Sequence, residues 1–149
     1  MFNGCNSLIV LNISNFDTTN IKSMKGMFSD CSSIISLNIS NFDTSKVSYM
    51  NNMFLNCKNL KYINFENAIE LSNLNTENMF INVNESIIYC INEEKAPKIH
   101  ELLKNIKCFK KDCSINWENN INLTEVCILE NTCSTPEFFE GKCKLNNKL

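Results

Sequence analysis

The chain has 149 residues, 44% of them hydrophobic and 20% charged, with a formal net charge of −2. That balance belongs to one folded domain, or one small domain plus a cap, and not to a disordered chain. The charge offers no attraction to nucleic acid or to an anionic membrane, and all fourteen basic residues are lysine, so the guanidinium fork favoured for phosphate and guanine recognition is missing.

Asparagine and lysine abound while arginine and glutamine are absent, a bias read as that of an AT-rich genome rather than as a functional signal. No apolar run approaches the ~18–20 residues of a membrane span, and no secretory leader is visible.

Taken in order, the chain opens on a repeat. Met-Phe occurs at Met1-Phe2, Met27-Phe28, Met53-Phe54 and Met79-Phe80, each step being 26 residues. The units are 1–26, 27–52, 53–78 and a degenerate 79–92. Residues 8–16 read LIVLNISNF, residues 34–42 IISLNISNF and, more weakly, residues 60–68 LKYINFENA. The third unit keeps its first half and loses its second. The fourth has Val83 where the cysteine of the earlier units would fall.

Within a unit the apolar spacing changes. Leu8, Leu11, Ile13 and Phe16 include a strand-like alternation of period two. Asp17 and Thr18 follow as helix N-caps. Ile21, Met24 and Met27 then recur every three residues, as a short helix or 3₁₀ segment would place them. Unit two repeats the pattern with Ile34, Leu37, Ile39, Phe42, Asp43, Thr44, Val47 and Met50.

One such unit cannot bury its own apolar face, but stacked units can. Stacking predicts parallel strands about 4.8 Å apart and ladders of equivalent residues. Phe2, Phe28, Phe54 and Phe80 form one ladder, and Phe16 with Phe42 another. Cys5, Cys31 and Cys57 share one register and are expected to be buried free thiols. Spread one per unit, they do not converge on a metal.

Written as MF-x-x-C-x-S-L-x-x-L-N-I-S-N-F-D-T-x-x-V-x-x-M, residues 1–65 resemble the repeat of BspA-like leucine-rich-repeat surface proteins, and residues 66–92 do so weakly. The resemblance implies a surface or extracellular location and, for some members, adhesion to host proteins. It brings no catalytic residues.

The expected fold is α/β: a short right-handed leucine-rich-repeat solenoid over residues 1–92, with one parallel strand and one short helix per unit. Residues 93–149 add a C-terminal helix and a disulfide-rich tail. The start at Met1-Phe2 coincides with a unit boundary, which predicts further units upstream and poor solubility of this piece alone.

Residues between the buried strand positions line the concave face, the usual partner surface of such repeats. They are Val10, Asn12 and Ser14, then Ser36, Asn38 and Ser40, then Tyr62, Asn64 and Glu66. The asparagine row could hydrogen-bond a protein or a glycan, or simply pair along the sheet. Tyr62 is the strongest single contact candidate. Glycosylation sequons stand at Asn12, Asn38, Asn84 and Asn122, of which Asn122 is the best-placed acceptor because the first two lie mid-strand.

Beyond the repeats, residues 86–91 (SIIYCI) read as a last strand closing the sheet. Ala96-Pro97 opens a helix through Ile106, with Ile99, Leu102, Leu103 and Ile106 forming one apolar stripe. His100, the only histidine, has no acid or thiol partner in view and reads as structural. Six cysteines follow: Cys90, Cys108, Cys113, Cys127, Cys133 and Cys143. None forms C-x-x-C, and their even number in a loop-like stretch favours disulfides over zinc, with fifteen possible pairings. Trp117 would anchor that tail.

No catalytic constellation, phosphate loop or cofactor motif is present. The expectation is therefore a non-enzymatic surface or secreted module that binds a protein or glycan, without cofactor, metal, nucleic acid or membrane insertion. The alternative is a spacer within a larger surface protein.

Overall fold

A computed structural model describes residues 1–85, 87–104, 108–110, 138–139 and 142–143. Its centre is a parallel sheet in the order β1-β2-β3-β4, formed by β1 (Ser36–Asn38), β2 (Tyr62–Phe65), β3 (Ile88–Ile91) and β4 (Cys108–Lys110). One helix, α1 (Pro97–Leu103), lies between β3 and β4, making the chain α/β. A separate antiparallel pair joins β5 (Phe138–Phe139) to β6 (Lys142–Cys143).

The register carries the 26-residue period into space. Ser36 pairs with Tyr62 and Tyr62 with Ile88; Asn38 pairs with Asn64 and Asn64 with Cys90. A second line of contact runs along the other side of each unit, where Ser23, Tyr49 and Asn75 bridge in parallel. The second half of unit three therefore still stacks, although its sequence has drifted.

The core follows from that register. Phe2, Phe28, Phe54 and Phe80 stack with centroids 5.6, 5.6 and 5.4 Å apart and planes within 9°. Phe65 meets Phe54 and Phe80 edge-on. Leu37, Ile63 and Tyr89 form another buried ladder, and Ile13, Ile39, Phe65 and Ile91 a third. Burying a side chain of this size contributes roughly 1.5–3 kcal/mol.

Several expectations are corrected. Among the described residues no unit contains the short helix. The three-residue spacing of Ile21, Met24 and Met27 comes from tight turns closed by Ile21 N–H to Thr18 O and Met27 N–H to Met24 O. The intervening donors turn outward to the next unit, as Met24 N–H does to Tyr49 O (2.8 Å) and Gly26 N–H to Asn51 O (3.0 Å). Asp17 is not a helix cap: its carboxylate accepts from the amide and hydroxyl of Thr19 within its own turn. Thr18 and Thr44 are buried, and their hydroxyls bond the neighbouring unit at Asp43 and Ile69.

Unit one has no strand. Ile35 N–H reaches Ile9 O, but Val10, Asn12 and Ser14 lie outside the sheet. Residues 88–91 do form a strand, yet not the last one, because β4 pairs parallel to β3 through Ile88–Cys108 and Cys90–Lys110. Phe16 is only half-buried and stacks on Phe2 at 6.0 Å, while Phe42 is buried. Cys5 is half-buried rather than buried.

The helix begins at Pro97 as expected and ends at Leu103. Ile99 and Leu103 are buried, whereas Leu102 is 40% exposed. The other tail expectations (Ile106, Trp117, Asn122 and the pairing of Cys108, Cys113, Cys127, Cys133 and Cys143) fall on side chains outside the described residues.

Candidate functional site

Each turn of the repeat asks for a left-handed backbone at two positions. One row is Gly4, Asp30, Asn56 and Asn82, with φ of 75°, 61°, 63° and 58°. The other is Gly26, Asn52 and Asn78, with φ of 56°, 59° and 56°. Glycine adopts this region freely and asparagine or aspartate more readily than other residues. Part of the asparagine excess is thus structural. The signal was readable: both rows begin with glycine and keep the 26-residue spacing.

The first row also bonds to itself. Asn56 Nδ2 donates to Asp30 Oδ1 (2.6 Å) and Asn82 Nδ2 to Asn56 Oδ1 (2.8 Å). The Asn56 amide, with the Ser29 hydroxyl, holds the Asp30 carboxyl below its ordinary value. Other asparagines cross between units, Asn41 Nδ2 reaching the carbonyls of Ile13 and Ser14, and Asn67 Nδ2 that of Ser40.

The expected partner face is partly open. Val10 is 70% exposed, Asn12, Ser14, Asn38 and Glu66 are exposed, and Ser36, Ser40 and Asn64 are intermediate. Tyr62 is corrected: it is 8% exposed, and burial raises its phenol pKa. Alternation assigned Tyr62 to solvent, but β2 is covered on both sides there, and on β3 Ile88 and Cys90 of the same rows are buried too. The open area is therefore widest over units one and two, with Glu66 of unit three at its margin.

Within that area the asparagine row is largely committed to its own turns. Asn12 Oδ1 accepts from the amide and hydroxyl of Ser14, and Asn38 Oδ1 accepts the same pair from Ser40. Asn64 Oδ1 accepts the Glu66 amide. The Nδ2 groups of Asn12, Asn38 and Asn64 make no hydrogen bond among the described residues. An outside partner would thus meet donors beside exposed aliphatic surface at Ile9, Val10 and Ile35.

The buried thiols Cys31 and Cys57 are closed to chemistry. Cys31 Sγ donates to Phe2 O (3.0 Å) and Cys57 Sγ to Phe28 O (3.1 Å), each reaching the preceding unit. Burial pushes the Cys57 pKa up to about 12 and raises that of Cys31. A thiolate is the nucleophile and the metal ligand, so neither position supports such a role. Among the described residues no group of His, Cys, Asp and Glu could hold a metal, and no helix is long and apolar enough to cross a membrane.

Around α1, Glu70 supplies the cap that Ala96 lacks: its carboxylate accepts the amides of Lys98 (2.9 Å) and Ile99 (3.1 Å). Lys98 Nζ donates to Leu74 O (2.8 Å). His100 lies 6.1 Å from the Tyr89 ring and 3.7 Å from Glu93, an arrangement that fastens the helix to β3.

These features define a class: α/β repeat domains whose 26-residue units stack through a parallel sheet and polar turn ladders. The chain belongs to the family described as Mycoplasma protein of unknown function, DUF285, whose model matches residues 1–87. That membership is compatible with the resemblance to BspA-like surface repeats. No curated protein and no solved structure matches the chain.

Proposed function

We propose that the chain is a right-handed leucine-rich-repeat solenoid acting as a non-enzymatic surface or secreted module, which binds an extracellular protein or glycan. The carrying observation is the open end of the strand face, where exposed Val10, Asn12 and Asn38 lie beside exposed Ile9 and Ile35. Apolar stems beside amide donors suit a sugar face or a polar peptide.

A panel of immobilised glycans and extracellular-matrix proteins tests this reading. Val10→Asp should weaken capture without lowering the melting temperature, and so should Asn38→Asp, which keeps the Oδ1 acceptor for Ser40 and removes the Nδ2 donor. Capture that both variants leave intact would remove the face from the function.

The spacer reading is favoured by one observation, the commitment of the asparagine oxygens to their own turns. It expects no specific capture from any part of the panel.

The tail belongs to the same proposal. Cys90 is buried and stands outside the free thiols Cys5, Cys31 and Cys57, which supports its pairing with a cysteine of the tail in an oxidising compartment. A thiol count in denaturant without reductant should then find three free thiols. Nine would overturn both the bridges and the extracellular location.

A further inference from the structure

The strand face keeps one kind of hydrogen-bonding group in reserve. The oxygens of its asparagine row are spent: Asn12 Oδ1 holds the amide and hydroxyl of Ser14, Asn38 Oδ1 those of Ser40, and Asn64 Oδ1 the Glu66 amide. The same bonds use the protons of both serine hydroxyls. What remains is the Nδ2 group of each asparagine, and these three donors make no hydrogen bond among the described residues. Asn38 and Asn64 are direct partners across β1 and β2, and unit one lies alongside through Ile35 N–H to Ile9 O. The donors therefore recur about every 4.8 Å along the stack.

The apolar part of the face is aliphatic, at exposed Val10, Ile9 and Ile35. Its aromatic side chain, Tyr62, is buried, and the exposed Tyr49 stands in the Ser23–Tyr49–Asn75 row on the other side of each unit. A bare hexose, which needs a ring to stack on, finds none here. A protein partner fits badly on two counts. Aromatic and arginine anchors carry most protein interfaces, and this face has no open ring and the chain no arginine. A peptide backbone also brings one N–H for each carbonyl, so half of its polar groups would meet donors.

We infer that the ligand of this face is a glycan built of N-acetylated hexosamines. The acetamido carbonyl accepts an asparagine Nδ2–H, and the acetyl methyl packs on Val10, Ile9 or Ile35, supplying the apolar contact that a ring would otherwise give. Sugar hydroxyls, each a donor and an acceptor, adapt to the remaining polar groups, exposed Glu66 among them. Three donors in line hold a linear glycan at more than one sugar, which favours oligomers over the single sugar. The inference rests on the binding role proposed above and names the substrate class for it.

The test titrates the full chain calorimetrically with three trimers of one linkage, made of N-acetylglucosamine, glucosamine and glucose. The acetylated trimer should bind, and more tightly than its monomer. The two trimers without acetyl groups should bind roughly tenfold more weakly, having lost a hydrogen bond and a methyl contact. Asn38→Asp should lower affinity for the acetylated trimer roughly threefold to tenfold with Tm unchanged, Val10→Asp should weaken it too, and Tyr49→Ala should have no effect. Equal binding of the three trimers overturns the inference, as does a loss in Tyr49→Ala that the two face variants do not show. Capture of a matrix protein that Val10→Asp weakens, with no binding of the acetylated trimer, also overturns it but leaves the binding module standing. No capture of any glycan or protein overturns both.

Discussion

At Asn52 the backbone is left-handed (φ 59°), a conformation that costs an ordinary L-residue roughly 1–2 kcal/mol. Asn52→Ala should therefore lower stability by about that amount, whereas Asn52→Gly should be close to neutral. Urea melts of the two variants decide this, and equal losses would mean that the side chain matters and the conformation does not. The thiols offer a second comparison. With Cys57 pushed up to about 12 by burial, alkylation of the native protein at about pH 8 should modify Cys5 first, then Cys31, and leave Cys57 untouched until the chain is unfolded. Mass spectrometry of timed samples reads the order directly.

Among the elements, the phenylalanine stack and α1 carry the sharpest expectations. Phe54 touches Phe28, Phe65 and Phe80 and is fully buried. Phe54→Ala should cost about 3–5 kcal/mol, more than Phe2→Ala at the open end. Glu70→Ala removes the acceptor of two helix amides. It should cost about 1.5–3 kcal/mol, the range for hydrogen bonds to a charged group, and speed hydrogen exchange at Lys98 and Ile99 ahead of the sheet.

The same elements show what sequence could and could not disclose. The phenylalanine ladder and β1 to β3 were legible, because identical spacing and identical chemistry recur together. The helix in each unit was misread, since i→i+3 turns bring every third residue inward just as a helical face does. What separates the two is where the remaining N–H groups point, and here they cross to the next unit. Tyr62 was misplaced because alternation gives the side of a strand and says nothing of what covers that side. The Glu70 cap joins residues 28 apart, beyond any local capping pattern.

For the molecule as a whole, acid is the natural probe. Hydrogen bonds from Thr19, Asn56 and Ser45 are the largest causes holding the carboxyls of Asp17, Asp30 and Asp43 below the reference 3.8. A carboxyl whose folded value lies below its unfolded one stabilises the fold above the unfolded value, and that contribution is lost as pH falls through the folded value. The urea midpoint should accordingly hold down to about pH 4 and drop below it. The double variant Asp17→Asn, Asp43→Asn should show a shallower drop. An identical profile would place the acid sensitivity elsewhere.

The two left-handed rows have a bearing on ancestry. Glycine needs codons beginning GG, whereas asparagine is written AAT or AAC. A lineage drifting toward adenine and thymine would lose a scaffold that depended on glycine at every sharp corner. This one keeps only three glycines and turns its later corners on asparagine and aspartate, so its architecture can persist under a mutational pressure that would erode a glycine-hinged counterpart.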